Sequence, residues 1–104
     1  MPHGVLYAYM LMLKPLDRNE IRRAFAATIR ELRSEKDLAQ ETLAYTAGVD
    51  RGYMGVLERG ASTPTLETIF KLLPVLDVDF VTFADVFTKH MNAKPLKRPR
   101  RKGQ

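Results

Sequence analysis

The sequence predicts an all-α fold of five helices with a helix-turn-helix inside it. Three observations carry this. Apolar residues recur at spacings of three and four in successive stretches. Residues that cap helices stand ahead of those stretches, and glycine follows two of them. Two neighbouring stretches are joined by a short turn containing Gly48, as a helix-turn-helix requires. With 104 residues and 45% hydrophobic side chains, the chain suits a single domain with a small core. That domain is expected at residues 17–90, between an N-terminal apolar extension (1–16) and a basic, disordered tail (91–104).

The extension is not assignable from sequence. Val5–Leu13 is an apolar run that suits a strand, an additional packed helix or a dimer element. The alternation of Tyr7 and Tyr9 leans toward a strand, and Pro15 closes the run. Met10 and Met12 also leave open a start codon further along. The run is too short for the ~20 residues of a membrane span. It also lacks the flanks of a signal peptide.

Helix by helix, the signals are local. Asp17 or Asn19 caps the first helix, expected from about Asn19 to Glu35 with Ile21, Phe25, Ile29 and Leu32 on one face. The second covers Gln40 to Ala47 and turns Leu43 and Ala44 inward. Its cap position holds Ala39, which offers no side-chain oxygen. Gly48 follows where a positive φ is needed. Asp50 caps a third helix, Arg51 to Arg59, with Met54 and Leu57 inward, and Gly60 ends it. Thr65 caps the fourth, carrying Leu66, Ile69, Phe70, Leu72 and Leu73. Pro74 is expected to kink or stop it near Leu73, with a turn over Val75–Val78. Asp79 or Thr82 caps the fifth, which carries Phe80, Phe83, Val86 and Phe87.

Charge is distributed unevenly. All twelve acidic residues lie at or before Asp85. Of the seventeen basic residues, seven lie from Lys89 onward: Lys89, Lys94, Lys97, Arg98, Arg100, Arg101 and Lys102. Residues 1–88 therefore hold ten basic against twelve acidic side chains, a net −2, although the whole chain is +5. The tail is either a solvated end or an arm that follows DNA phosphates. In the second case, removing Asn92–Gln104 weakens binding to all sequences alike.

Other chemistry is poorly supported. The chain has no cysteine, so disulfides and thiolate ligands are excluded. This fits a reducing, cytoplasmic setting. His3 and His90 lie near opposite ends and do not suggest a metal site. Ser34 and Ser62 lack a histidine and acid at a motif-like spacing, and no phosphate loop is present. The chain is not expected to be an enzyme or to carry a cofactor.

The stretch Gln40–Gly60, with Leu38-Ala39-Gln40-Glu41-Thr42-Leu43-Ala44, Ala47-Gly48-Val49, Leu57-Glu58-Arg59-Gly60 and Pro64-Thr65-Leu66-Glu67-Thr68, resembles the Cro/CI-type helix-turn-helix (XRE) family, which includes lambdoid phage repressors. The resemblance spans about Ile29 to Phe87. Asp50-Arg51-Gly52-Tyr53 followed by Gly55 also looks like the controller proteins of restriction–modification systems, a branch of that family.

The resemblance implies a lambda-repressor-like domain acting as a homodimer on double-stranded DNA. Gln40, Arg59, Ser62 and Thr63 are then phosphate contacts. Arg51, first in the recognition helix, offers a two-donor fork to guanine, worth roughly 1–3 kcal/mol of discrimination. Gly52, Tyr53, Gly55 and Val56 complete the outward face as base-contact candidates. Two glycines there cost ~1 kcal/mol each relative to alanine and leave few side chains to read bases, which shifts weight to Arg51 and DNA shape. Glu58 reads as structural, paired to Arg30 or Arg33. Phe80, Phe83 and Phe87 are core residues that can extend into a dimer interface. Two other readings remain: an antitoxin or similar module that binds a toxin or another protein partner, and a helix-turn-helix kept for protein contacts alone.

Overall fold

The structure is a computed structural model that describes residues 16–93. The expectations for Val5–Leu13 and for the tail from Lys94 onward fall outside the described residues. Five helices follow in order: α1 (Arg18–Glu35), α2 (Gln40–Ala47), α3 (Arg51–Glu58), α4 (Leu66–Leu76) and α5 (Phe80–Asn92). α1 packs against α3 and α5, α2 against α3 and α4, and α4 against α5. None of these helices is long and apolar enough to cross a membrane.

Four of the five helices begin where a side chain can take their unpaired N–H groups. Asp17 Oδ1 accepts from the amides of Asn19 and Glu20 at 3.0 and 3.3 Å, so Asp17 is the cap and Asn19 lies inside α1. Asp50 accepts from Tyr53 at 3.0 Å, Thr65 from Thr68 at 3.0 Å and Asp79 from Thr82 at 2.7 Å. The Thr82 bond holds the Asp79 carboxyl below its usual range. α2 alone has no side-chain cap, because Ala39 occupies the position.

Helix ends are equally local. Gly48 and Gly60 both take φ 71°, the left-handed region that glycine enters without a Cβ clash. Asp37 and Asp77 adopt the same region at φ 54° and 55°, which aspartate tolerates better than most residues. α4 departs from expectation: it runs through Pro74 to Leu76. Of the kink or stop expected near Leu73, the stop is corrected: the helix continues for about one further turn. Phe70, whose carbonyl Pro74 leaves without an intrahelical donor, and Pro74 itself both lie on the exposed face. There a carbonyl can bond to water, and Leu72, Leu73 and Leu76 secure the other face in the core. α5 carries on through Met91 and Asn92, the first residues assigned to the tail.

The core joins all five helices. Phe25, Ile29 and Leu32 of α1 meet Leu43 and Ala44 of α2, Met54 and Leu57 of α3, Leu72, Leu73 and Leu76 of α4 and Phe83 of α5. Burying each large side chain contributes roughly 1.5–3 kcal/mol. Thr28 is fully buried, and its hydroxyl donates to the Ala24 carbonyl at 2.7 Å. α5 is tied back onto α1 by Glu31. Its carboxylate takes Lys89 at 3.0 Å and His90 at 3.0 Å, and the bond from Lys89 holds it below the usual carboxylate range against the cost of burial.

Candidate nucleic-acid interface

α2 and α3 form the helix-turn-helix, and one buried carboxylate fixes α3 to the scaffold. Glu58 accepts two bonds from Arg33, at 3.0 Å from Nε and 2.9 Å from Nη2. Arg33 also donates to the Leu38 carbonyl at 2.7 Å, which ties the loop before α2 into the same knot. Arg30 donates to the Glu58 carbonyl at the end of α3. Of the two partners expected for Glu58, Arg33 takes the carboxylate and Arg30 the backbone. These bonds set where α3 stands relative to α1.

Arg51 opens α3 on the exposed side. It is ion-paired with Glu41 of α2, and their side chains are 75% and 64% exposed. Such a pair contributes little, about 0–1 kcal/mol, and yields readily to a stronger anion or a hydrogen-bonding base. Thr42, exposed Tyr45 and Val49 line a shallow hollow beside them.

The middle of α3 differs from the sequence reading. Gly55, expected to be a bare outward surface, is buried. A Cβ there would lie 3.1 Å from Arg59 Nη1 and 3.6 Å from Gln40 Oε1. Two candidate phosphate contacts, from different helices, thus converge over the residue that has no side chain. Gly52 is exposed, with Asp50 Oδ2 3.2 Å from where its Cβ would stand. Tyr53 is half-buried and rests partly on the core, and Val56 is half-buried. Gln40, Arg51, Gly52 and Arg59 share the helix-turn-helix surface, and Gly55 serves as the seat beneath two of them.

Ser62 and Thr63 lie in the loop that leaves α3, half-buried and exposed respectively. The Thr63 hydroxyl accepts from Arg22 Nε of α1 at 2.9 Å. Sequence reasoning missed Arg22 and the Glu41 partner of Arg51. Neither pairing has a local signature, since Arg22 and Thr63 stand 41 positions apart.

The expected dimer residues are redistributed. Phe83 is buried within the domain, tilted against Phe25 at 6.1 Å and stacked with Phe87 at 6.0 Å. Its place in an interface is therefore corrected to a core role, and Phe87 is partly buried against the same core. Phe80, at 41% exposed, stacks on Phe70 of α4, at 52% exposed, with ring centres 5.2 Å apart. Leu66 and Val81 are exposed on the same two helices.

Comparison with known proteins agrees with this architecture. A family model described as helix-turn-helix matches residues 29–83. The chain is 33% identical over 63 residues to the HTH-type transcriptional regulator SutR of Escherichia coli, covering 61% of this chain but only 35% of that protein. It is 32% identical over 74 residues to the control protein C.BamHI of Bacillus amyloliquefaciens, covering 64% of this chain and 91% of the other. The crystal structure of the restriction–modification controller protein C.Esp1396I aligns with a TM-score of 0.66 at 27% identity, over 71% of this chain and 95% of that one. A further structure of that controller is a tetramer in complex with its natural 35 base-pair operator.

Proposed function

The chain belongs to the helix-turn-helix family of transcriptional regulators, and from that premise we propose that it acts as a homodimer on an inverted-repeat DNA operator. The observation that carries this reading is the surface of α3. An exposed arginine opens the helix, held by a weak ion pair, and Gln40 and Arg59 meet over Gly55 beside it. In this reading α3 enters the major groove and Arg51 leaves Glu41 for the O6 and N7 of a guanine. Gln40 and Arg59 take phosphates and fix the register without reading sequence. Ser62 and Thr63 add neutral donors at the loop. Gly52, Tyr53 and Val56 supply close backbone approach and apolar contact, so direct readout is sparse.

The homodimer rests on Phe70 and Phe80. An exposed, mutually stacked aromatic pair invites a matching surface, and a two-fold dimer would place two copies of α3 about 34–36 Å apart, one DNA turn. Binding of DNA by more than one copy is supported by one relative of known structure, a controller described as a tetramer in complex with its operator.

Selection from random-sequence DNA tests the reading, run in parallel with Arg51→Ala. Wild type is expected to enrich a palindrome, and the variant to lose a guanine preference by roughly 1–3 kcal/mol at that base. Enrichment of no sequence by wild type would refute it.

A further inference from the structure

The cations of the described residues are not equally engaged. Arg33, Lys36, Arg51, Lys71 and Lys89 each face a carboxylate. Arg23 and Arg30 donate to backbone carbonyls. Arg18, Arg22 and Arg59 have no carboxylate partner among the described residues, although every acidic side chain of the sequence lies there. Arg59 lies across α3. Arg18 and Arg22 stand one turn apart on the first half of α1.

That placement of two arginines is unfavourable in isolation. Like charges four residues apart repel, and cations near a helix N-terminus oppose its dipole. Glu20, the acid of the first turn, sits two residues from each of them and so points away from their shared face. An anion bound between them would relieve both penalties. The fold also holds Arg22 in a specific orientation. Thr63 takes its Nε at 2.9 Å, which leaves both terminal nitrogens without a partner among the described residues. The loop lies against α1 at Gly60, where a Cβ would stand in ordinary contact, 3.6 Å from the Arg22 carbonyl. The N-terminal half of α1 is thereby fastened to the loop that leaves α3, the loop to which the DNA-binding reading above assigns phosphate contacts.

We propose that Arg22, oriented by Thr63 and assisted by Arg18, is a DNA phosphate-binding site outside the helix-turn-helix. It rests on the DNA-binding reading above and extends it from α2 and α3 to α1. A guanidinium with two free nitrogens suits a phosphate, which it can grip with parallel bonds. The site carries no sequence information, so it strengthens binding to operator and to unrelated DNA alike.

The test measures binding of the full chain to a mixed-sequence DNA duplex as salt is varied, for wild type, Arg22→Ala and Arg22→Lys. Each phosphate contact contributes about 0.9 to the slope of log affinity against log salt. Arg22→Ala is expected to lower the slope by about that amount. Its deficit relative to wild type should then shrink about 3.5-fold between roughly 50 and 200 mM salt. Arg22→Lys should keep most of the slope, because it keeps the charge. An unchanged slope in Arg22→Ala, with wild type binding DNA, overturns this inference alone. So does a lysine variant as weak as the alanine one, which would mark Arg22 as a structural brace of the loop. Absence of any DNA binding by wild type overturns the underlying reading, and this inference with it.

Discussion

The two halves of this molecule share one core but differ in what they leave at the surface. The half made by α2 and α3 is fastened to α1 by polar bonds: Arg33 to Glu58, Arg33 to the Leu38 carbonyl, Arg30 to the Glu58 carbonyl and Arg22 to Thr63. The half made by α4 and α5 is also tied back at its ends, by Lys89 and His90 to Glu31 and by Lys36 to Asp77, but its outer face is apolar and left partly uncovered at Leu66, Phe70, Phe80 and Val81. Directional bonds hold a helix at one orientation, which a reading head needs. Apolar contact is less directional and leaves a surface that a second copy can share. In the proposed dimer, the first half is oriented by its own bonds and the second supplies the shared surface.

The sharpest way to break that contrast is to remove Glu58. Its side chain is 4% exposed and answers two donors of Arg33. Glu58→Ala strands that guanidinium. Removing one partner of a fully buried pair costs about 3–5 kcal/mol. Arg33 keeps some access to solvent and its bond to Leu38, so the expected loss is about 2–4 kcal/mol of folding stability, read from a urea midpoint. A loss below about 1 kcal/mol would place this pair among ordinary surface contacts and remove the polar side of the comparison.

The second half should respond in the opposite way. Phe70→Asp removes a half-exposed ring from the stack with Phe80. Folding stability is expected to change little, within about 1 kcal/mol. Self-association should weaken at least about tenfold, followed by sedimentation velocity across concentrations, with operator affinity falling in parallel. A variant that dimerises like wild type would move the interface away from α4 and α5.

What the sequence made legible follows the same division by range. Asp17, Asp50, Thr65 and Asp79 announce helix starts because a cap reaches amides two or three residues away. Gly48 and Gly60 announce helix ends because the left-handed backbone is a property of one residue. Pro74 does not stop α4, because its local penalty is met by burial of Leu72, Leu73 and Leu76, which is a tertiary effect. Phe83 illustrates the limit differently. Helical spacing puts Phe80, Phe83 and Phe87 near one face, but only packing against Phe25 decides that Phe83 turns inward. The site candidates Gln40, Arg51 and Arg59 were readable by type and position. The convergence of two of them over Gly55, and the reach of Arg22 to Thr63, depend on how helices distant in sequence are brought together.

Gly55 offers the smallest and most discriminating test, because it separates the two demands on α3. A glycine inside a helix is less favourable than alanine by about 0.8–1.0 kcal/mol. On helix propensity alone, Gly55→Ala should therefore stabilise the fold. The new methyl would stand 3.1 Å from Arg59 Nη1, closer than a comfortable contact. The nearest atom belongs to the end of a flexible, exposed side chain, so the arginine can move aside at modest cost. The net expectation is a gain of about 0.5 kcal/mol in stability, read from the urea midpoint. The displaced guanidinium should no longer meet Gln40 over the helix. Binding to DNA of every sequence should fall by a few-fold, and the salt slope should fall with it if Arg59 loses its phosphate. Stabilisation with unchanged DNA binding would show that Gly55 is merely a poor helix residue. Stabilisation with weaker binding would show that the glycine is kept because it lets two phosphate-binding side chains share one place on the reading head.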